Sequence, residues 1–232
     1  MSVEEATDRA ADLMKRYGHL QGVSLIEPMV HEEFNGKITM TSSFGTEAAA
    51  LLALVAEVDA NLPIIFLDTR KLFGETHTYR EKLVDQLGLT NIKIMRPDEN
   101  KLKADDPDGM LFASDVAKCC YLRKVEPLQR ALTGYDAWLT GRKRFHGGER
   151  DALPAIETAG TRIKINPLAG YKPEDIDDIF EHRALPRHPL QAEGFLSIGC
   201  MPCTDRVDPG TTDVRAGRWA GQDKTECGIH YI

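Results

Sequence analysis

Several things are missing from this chain, and each absence narrows its function. No apolar run approaches the length needed to cross a bilayer. The start, MSVEEATDRA, has neither the basic nor the apolar region of an export leader, so a cytoplasmic, reducing setting is expected. Positive charge is in short supply: 29 Lys and Arg face 36 Asp and Glu, a net charge of -7, which argues against a general nucleic-acid binder. A phosphate loop of the G-x-x-x-x-G-K-[ST] form is absent, and there is no internal repeat or low-complexity tract. With 232 residues, 42% of them hydrophobic, the chain can bury one substantial core.

What is present is an unusual set of five cysteines: the adjacent pair Cys119-Cys120, the step Cys200-Met201-Pro202-Cys203, and a lone Cys227. Stable structural disulfides are rare in a reducing compartment, so metal ligation is the leading account of the four grouped thiols. A four-thiolate set suits zinc or an iron–sulfur cluster. Zinc knuckles need residues between paired ligands so that both sulfurs turn inward, and the adjacency of Cys119 and Cys120 therefore favours the larger cluster. Cys227 is left over as a spare thiol in a short polar tail.

The hydrophobic pattern predicts an amphipathic helix over 2–17, capped by Ser2 and stopped by Gly18. A strand over 37–41 leads through Ser42-Ser43-Phe44-Gly45-Thr46-Glu47 into an Ala/Leu-rich helix ending near Val58. A strand over 63–67, a helix over 75–87 closed by Gly88, and a strand over 91–95 follow. Residues 98–109 read as a polar loop; a helix opened by the tandem cysteines runs to Arg130, with further strands over 136–140 and 162–165 and a helix over 173–182. Alternating strands and helices predict a parallel, twisted α/β sheet with helices on both faces. The chain divides into an α/β domain over 1–203 and a mobile tail over 204–232. Open α/β sheets bind ligands at the carboxyl ends of their strands, which marks 42–47 and the loop after 63–67, opening with Asp68-Thr69, as a nucleotide crevice.

Laid out in this way, the chain resembles the assimilatory sulfonucleotide reductases, in particular their iron–sulfur adenylyl-sulfate (APS) reductase branch. Ser43-Phe44-Gly45-Thr46-Glu47 looks like that family's altered pyrophosphatase loop, and Asp68-Thr69 with Leu72-Phe73 and Glu75-Thr76 like its second nucleotide loop. Cys119-Cys120 with Arg123-Lys124, and Cys200-Met201-Pro202-Cys203, match its cluster motif. Arg215-Ala216-Gly217-Arg218-Trp219 and Glu226-Cys227-Gly228-Ile229-His230 match the tail that carries its nucleophile. The chain departs from the family at Arg70, Lys71 and Gly74, and where Arg-Arg-(Asp/Glu)-Gln-Ser is expected it has Lys143-Arg144-Phe145-His146-Gly147, then Arg150.

The resemblance implies an adenine-nucleotide-hydrolase-like fold and a [4Fe-4S] cluster on Cys119, Cys120, Cys200 and Cys203. It also implies a thioredoxin-dependent reduction of APS to sulfite and AMP through an S-sulfocysteine on Cys227, with PAPS or dual use as the alternative. Lys124 and His230 are the expected catalytic companions of Cys227. Ser42, Ser43, Phe44, Gly45, Thr46, Glu47, Asp68, Thr69, Arg144, Arg150, Arg215 and Arg218 are the expected substrate contacts. The partners implied are APS and thioredoxin or a glutaredoxin-like dithiol, with no nucleic acid, no membrane, and a homo-oligomeric assembly.

Overall fold

The protein is seen in a computed structural model that describes residues 1–219, 224 and 226–231. Helix α1 (Val3–Tyr17) begins with a capping box, in which the Ser2 hydroxyl accepts from Glu5 N–H and the Glu5 carboxylate accepts from Ser2 N–H. Helix α2 (Gly22–Pro28) and a π-helical turn precede strand β1 (Ile38–Ser42). Then come α3 (Ala48–Asp59), β2 (Ile64–Leu67), α4 (Gly74–Leu87) and β3 (Ile92–Met95). Short helices α5 (Glu99–Asp105), α6 (Leu111–Ser114) and α7 (Val116–Cys120) lead through a π-helical turn (Tyr121–Val125) to α8 (Glu126–Ala131). Strands β4 (Ala137–Leu139), β5 (Ile156–Ala159) and β6 (Arg162–Ile165) and helix α9 (Pro173–His182) complete the regular structure.

The strands form one six-stranded sheet in the order β3-β2-β1-β4-β6-β5, parallel except for β5. Both faces are covered, as expected. Ile64 and Phe66 of β2, with Ala137 and Leu139 of β4, join the large core under α1–α4 and α9. Ile65 and Trp138, one residue along, point the other way and pack on Leu128 and Leu132 at α8. From β1 the chain winds outward to β2 on one side and later returns to β4 on the other, so the topological switch point lies between β1 and β4. That is where such a sheet opens a crevice.

Three expectations need correction. Residues 98–109 are not all loop: Asp98 accepts from the N–H groups of Asn100 and Lys101 and so caps α5, while Pro107 falls beyond its end. The tandem cysteines close α7 rather than open a helix; Asp115 caps it, and the helical path continues through the π turn. Strand β5 was not expected, and its antiparallel pairing makes the sheet mixed at one edge. The expected mobile tail at 220–223, 225 and 232 lies outside the described residues. Its described remainder is docked: Thr204 bridges Arg218, Trp219 N–H donates to the Cys203 carbonyl, and Cys227 is buried.

Candidate active site

A cavity of about 220 Å³ opens at the switch point. Its floor is the turn after β1, where Ser42, Ser43, Gly45, Thr46 and Glu47 face inward. The turn is built from its own side chains: the Ser42 hydroxyl accepts from Phe44 N–H, and the Ser43 hydroxyl from Gly45 N–H. Phe44 itself does not reach the cavity. It sits at a positive φ of 50° with its ring buried edge-on against Phe66, so it anchors the turn from behind. Asp68 likewise lies outside the lining, accepting from Arg70 N–H and from the Arg96 guanidinium, whereas Thr69 lines it.

The second wall comes from the end of β4, where Thr140, Gly141, Arg142 and Lys143 line the cavity with His146 and Arg150. Lys143 donates to Glu47 at 2.6 Å. Burial raises the Glu47 pKa, but Lys143 and His146 outweigh it and hold the carboxyl at about 2. Arg144, an expected contact, is exposed and donates to the Leu153 carbonyl instead. Thr140, Gly141 and Arg142 were missed, although their place at the end of a predicted strand beside the switch point was a usable signal.

The third wall is the tail with the segment 197–199. Arg215, Arg218, Trp219, Glu226, Cys227 and His230 all line the cavity. The Arg218 guanidinium passes over Gly199 so closely that a Cβ there would fall 2.3 Å from it, which makes a side chain at 199 incompatible with this packing. Arg218 also stacks on Trp219, 4.4 Å from the ring centroid. Glu226 binds Arg150 through two hydrogen bonds of 2.6 and 2.9 Å, and accepts from Arg215 and from Cys227 N–H. Burial opposes the Glu226 charge, yet Arg150 and its cationic neighbours keep the carboxyl far below its usual range. His230 is pushed well below its ordinary value by burial and is neutral at pH 7. Its carbonyl accepts from the buried Lys164 of β6.

The lining charges are lopsided. Among the described residues, Lys124, Arg142, Lys143, Arg150, Arg215 and Arg218 stand against Glu47 and Glu226. In a protein that is acidic overall, that concentration marks an anion site.

Lys124 also belongs to a second, smaller cavity beside the first, lined by Cys119, Cys120, Cys200 and Cys203 with Arg123. Cys200 is brought there by zipping onto the loop after β2: Leu72 bridges Cys200, Met201 N–H donates to the Lys71 carbonyl, and the Thr69 hydroxyl lies 3.2 Å from Cys200 Sγ. Arg123 donates to the Thr69 carbonyl and pairs with the buried Asp106, which ties the π turn to the same loop. All five cysteines are free and buried. Burial pushes the Cys119 thiol up to about 11 and raises Cys120 and Cys203. Among the described residues, no group of three or more His, Cys, Asp or Glu is gathered as a ligand set for a single metal ion. No described helix is long and apolar enough to cross a membrane.

Fold and crevice together define an α/β protein with an anion-binding cleft at its switch point. Comparison with known proteins narrows the class: the chain belongs to the phosphoadenosine phosphosulfate reductase domain family, whose sequence model matches residues 37–206. It is 51% identical to the adenosine 5'-phosphosulfate reductase of Mesorhizobium japonicum, over 96% of this chain and 87% of that protein. With the enzyme of the same name from Mycolicibacterium smegmatis it shares 39% identity over 86% and 84%. Among solved structures, the phosphoadenylyl-sulfate reductase of Candida auris in its phosphate complex superposes with a TM-score of 0.71 at 26% identity, over 87% of this chain and 98% of that one. The FMN adenylyltransferase of Candida glabrata, at 16% identity and a TM-score of 0.57 over 91% and 80%, shares the fold alone.

Proposed function

We propose that this chain is a reductase of adenosine 5'-phosphosulfate, yielding sulfite and AMP in sulfate assimilation. The observation that carries the proposal is the shared cavity: a turn of hydroxyls and N–H groups, a surplus of cations and the one cysteine outside the four-thiol set all face the same space. The names of the relatives that match over nearly the whole chain support APS as the substrate.

In this reading the 42–47 turn and Thr69 hold the nucleotide, and Lys124, Arg150, Arg215 and Arg218 meet the phosphosulfate. The Cys227 thiolate attacks the sulfur of the sulfuryl group, the bond from that sulfur to the bridging oxygen breaks, and AMP leaves with the electron pair. The cations stabilise the charge growing on the phosphate side. The product on the chain is S-sulfocysteine. A thiolate of thioredoxin, or of a glutaredoxin-like dithiol, then attacks Cys227 Sγ and expels sulfite with the S–S bonding pair. The second thiol of the dithiol breaks the mixed disulfide, leaving the carrier oxidised and Cys227 reduced. Cys227 is buried here, so the tail must swing out between the two halves of the cycle.

The donor set fits an iron–sulfur cluster: four buried free thiols border one cavity, with Arg123 and Lys124 beside them to favour thiolates. Cys119, Cys120, Cys200 and Cys203 would hold it, and the bound [4Fe-4S] group would supply structural and electrostatic support at the wall shared by Lys124. The test of the whole reading is a mass measurement. Incubated with APS and no dithiol, the protein should gain one sulfonate on the peptide containing Cys227 and release AMP in equal amount. Cys227→Ser should bind APS and release no sulfite. An adduct on another cysteine, or turnover by the serine variant, overturns the assignment; equal turnover of PAPS would make the enzyme a dual one.

A further inference from the structure

One cavity group has no part in the reaction described above: His146, which lies between Glu47 and Arg150. Its Nδ1 lies 2.9 Å from Arg150 Nη1, and its Nε2 lies 2.9 Å from Glu47 Oε2. A guanidinium has only donors, so Nδ1 must be the acceptor and the ring proton must sit on Nε2, aimed at Glu47. Glu47 also takes the Lys143 ammonium, and Arg150 donates to Glu226 through Nε and Nη2. An unbroken line of bonds thus runs Lys143–Glu47–His146–Arg150–Glu226 and ends on Cys227 N–H. It joins the turn after β1 to the tail.

We infer that His146 is a positioning residue: through Arg150 and Glu226 it holds Cys227 in its docked place and couples that docking to the 42–47 turn. The inference rests on the reading of Cys227 as the nucleophile. Only neutral imidazole can play this part, because a second ring proton would face Arg150 donor to donor. The groups around the ring pull in both directions. Burial, Lys143 and Arg150 disfavour protonation, while Glu47 favours it, and the balance lies below the ordinary histidine value. Phe145 packs against the ring, its centroid 4.6 Å away, and adds no charge. The docked state therefore excludes the proton, and docking weakens as pH falls below about 6.5, where a released histidine begins to charge.

The test reads tail docking without asking for catalysis. Cys227 is buried, so its alkylation by iodoacetamide in the substrate-free holoprotein, followed on its peptide by mass spectrometry, reports opening of the tail. His146→Ala should raise that rate about tenfold, the scale of one lost hydrogen bond to a charged group. His146→Gln, whose amide can accept from Arg150 and donate to Glu47, should bring the rate back to within about threefold of wild type. In an Arg150→Ala background His146→Ala should change the rate less than about twofold, because the two act in series. As pH drops from 8 to 5.5, the ratio of wild-type to His146→Gln rates should climb. This comparison stands even if the alanine variant fails to fold. A full effect of His146→Ala without Arg150, or parallel pH profiles for wild type and His146→Gln, overturns the inference. Failure of the APS reading would show separately, as absence of a sulfonate adduct with the alkylation pattern intact.

Discussion

Replacing Lys124 by methionine is the sharpest probe of how the two cavities cooperate. Lys124 lines both the large cavity and the four-cysteine space. Burial opposes its charge, but the sulfurs of Cys200 and Cys227 more than offset this and raise its pKa, so it is an ammonium at pH 7. Methionine keeps most of the volume and removes the charge. If the ammonium meets the sulfuryl oxygens next to Cys227, direct Coulomb attraction at about 4 Å in a partly wet site is on the order of 4 kcal/mol. Both groups shed water to meet, and the net loss expected for a hydrogen bond to a charged group is roughly 1.5–3 kcal/mol. APS should then bind about 10- to 150-fold more weakly by calorimetry.

AMP supplies the internal control. It carries the nucleoside and phosphate but no sulfuryl group, so its affinity should fall less than about threefold, within the range of an exposed charge pair. Equal losses for APS and AMP would place Lys124 at the phosphate, and no loss for either would remove it from the anion site. Thermal stability should hold, because Lys124 is only half-buried and leaves no carboxylate unpaired.

Cys120→Ser should lose iron and sulfide, and with them soluble folded protein, since ligation of a cluster is coupled to folding; full iron content by elemental analysis would reject the ligand set. Arg123→Ala should cost about 3–5 kcal/mol by stranding the buried Asp106, and the expected fall in unfolding temperature is roughly 6–20 °C. A fall of under ~2 °C would mean the pair is not formed. Glu47 is held at about 2, below its usual value near 4.5. Its contribution to stability is thus complete above about 4.5 and disappears as pH falls toward 2. Urea midpoints should drop faster through that window for wild type than for Glu47→Gln, and parallel curves would refute the Lys143–Glu47–His146 cluster.

Much of this architecture was legible because local physics set it. The Ser2 capping box, the left-handed Gly88 closing α4 and the strand end at Leu67 are written in a few consecutive residues, whereas β1 runs to Ser42, one residue past the expected Thr41. The missed strand β5 also had a local sign: Ile156–Ala159 and Arg162–Ile165 are joined by two residues, with Gly160 at φ 59°. Its four residues alone were too short and polar to stand out. At α5 the polarity of the segment and Pro107 mask the helix that the Asp98 cap starts.

The misplacement of Arg144 has a different origin and shows where sequence reasoning stops. Lys143 is extended, with φ -137° and ψ 147°, and the tight turn begins at Arg144. One residue of register therefore sends Lys143 inward to Glu47 and Arg144 outward to the surface. No composition or motif can fix that, because both residues are basic and either satisfies the same pattern. Only the path of the chain after β4 decides it. The same holds for segment 197–199, which enters the cavity because Cys200 is zipped to Leu72, more than a hundred residues away. The residue types that make an anion site can be read from the chain; which of them face the anion depends on contacts between distant segments, and those must be seen.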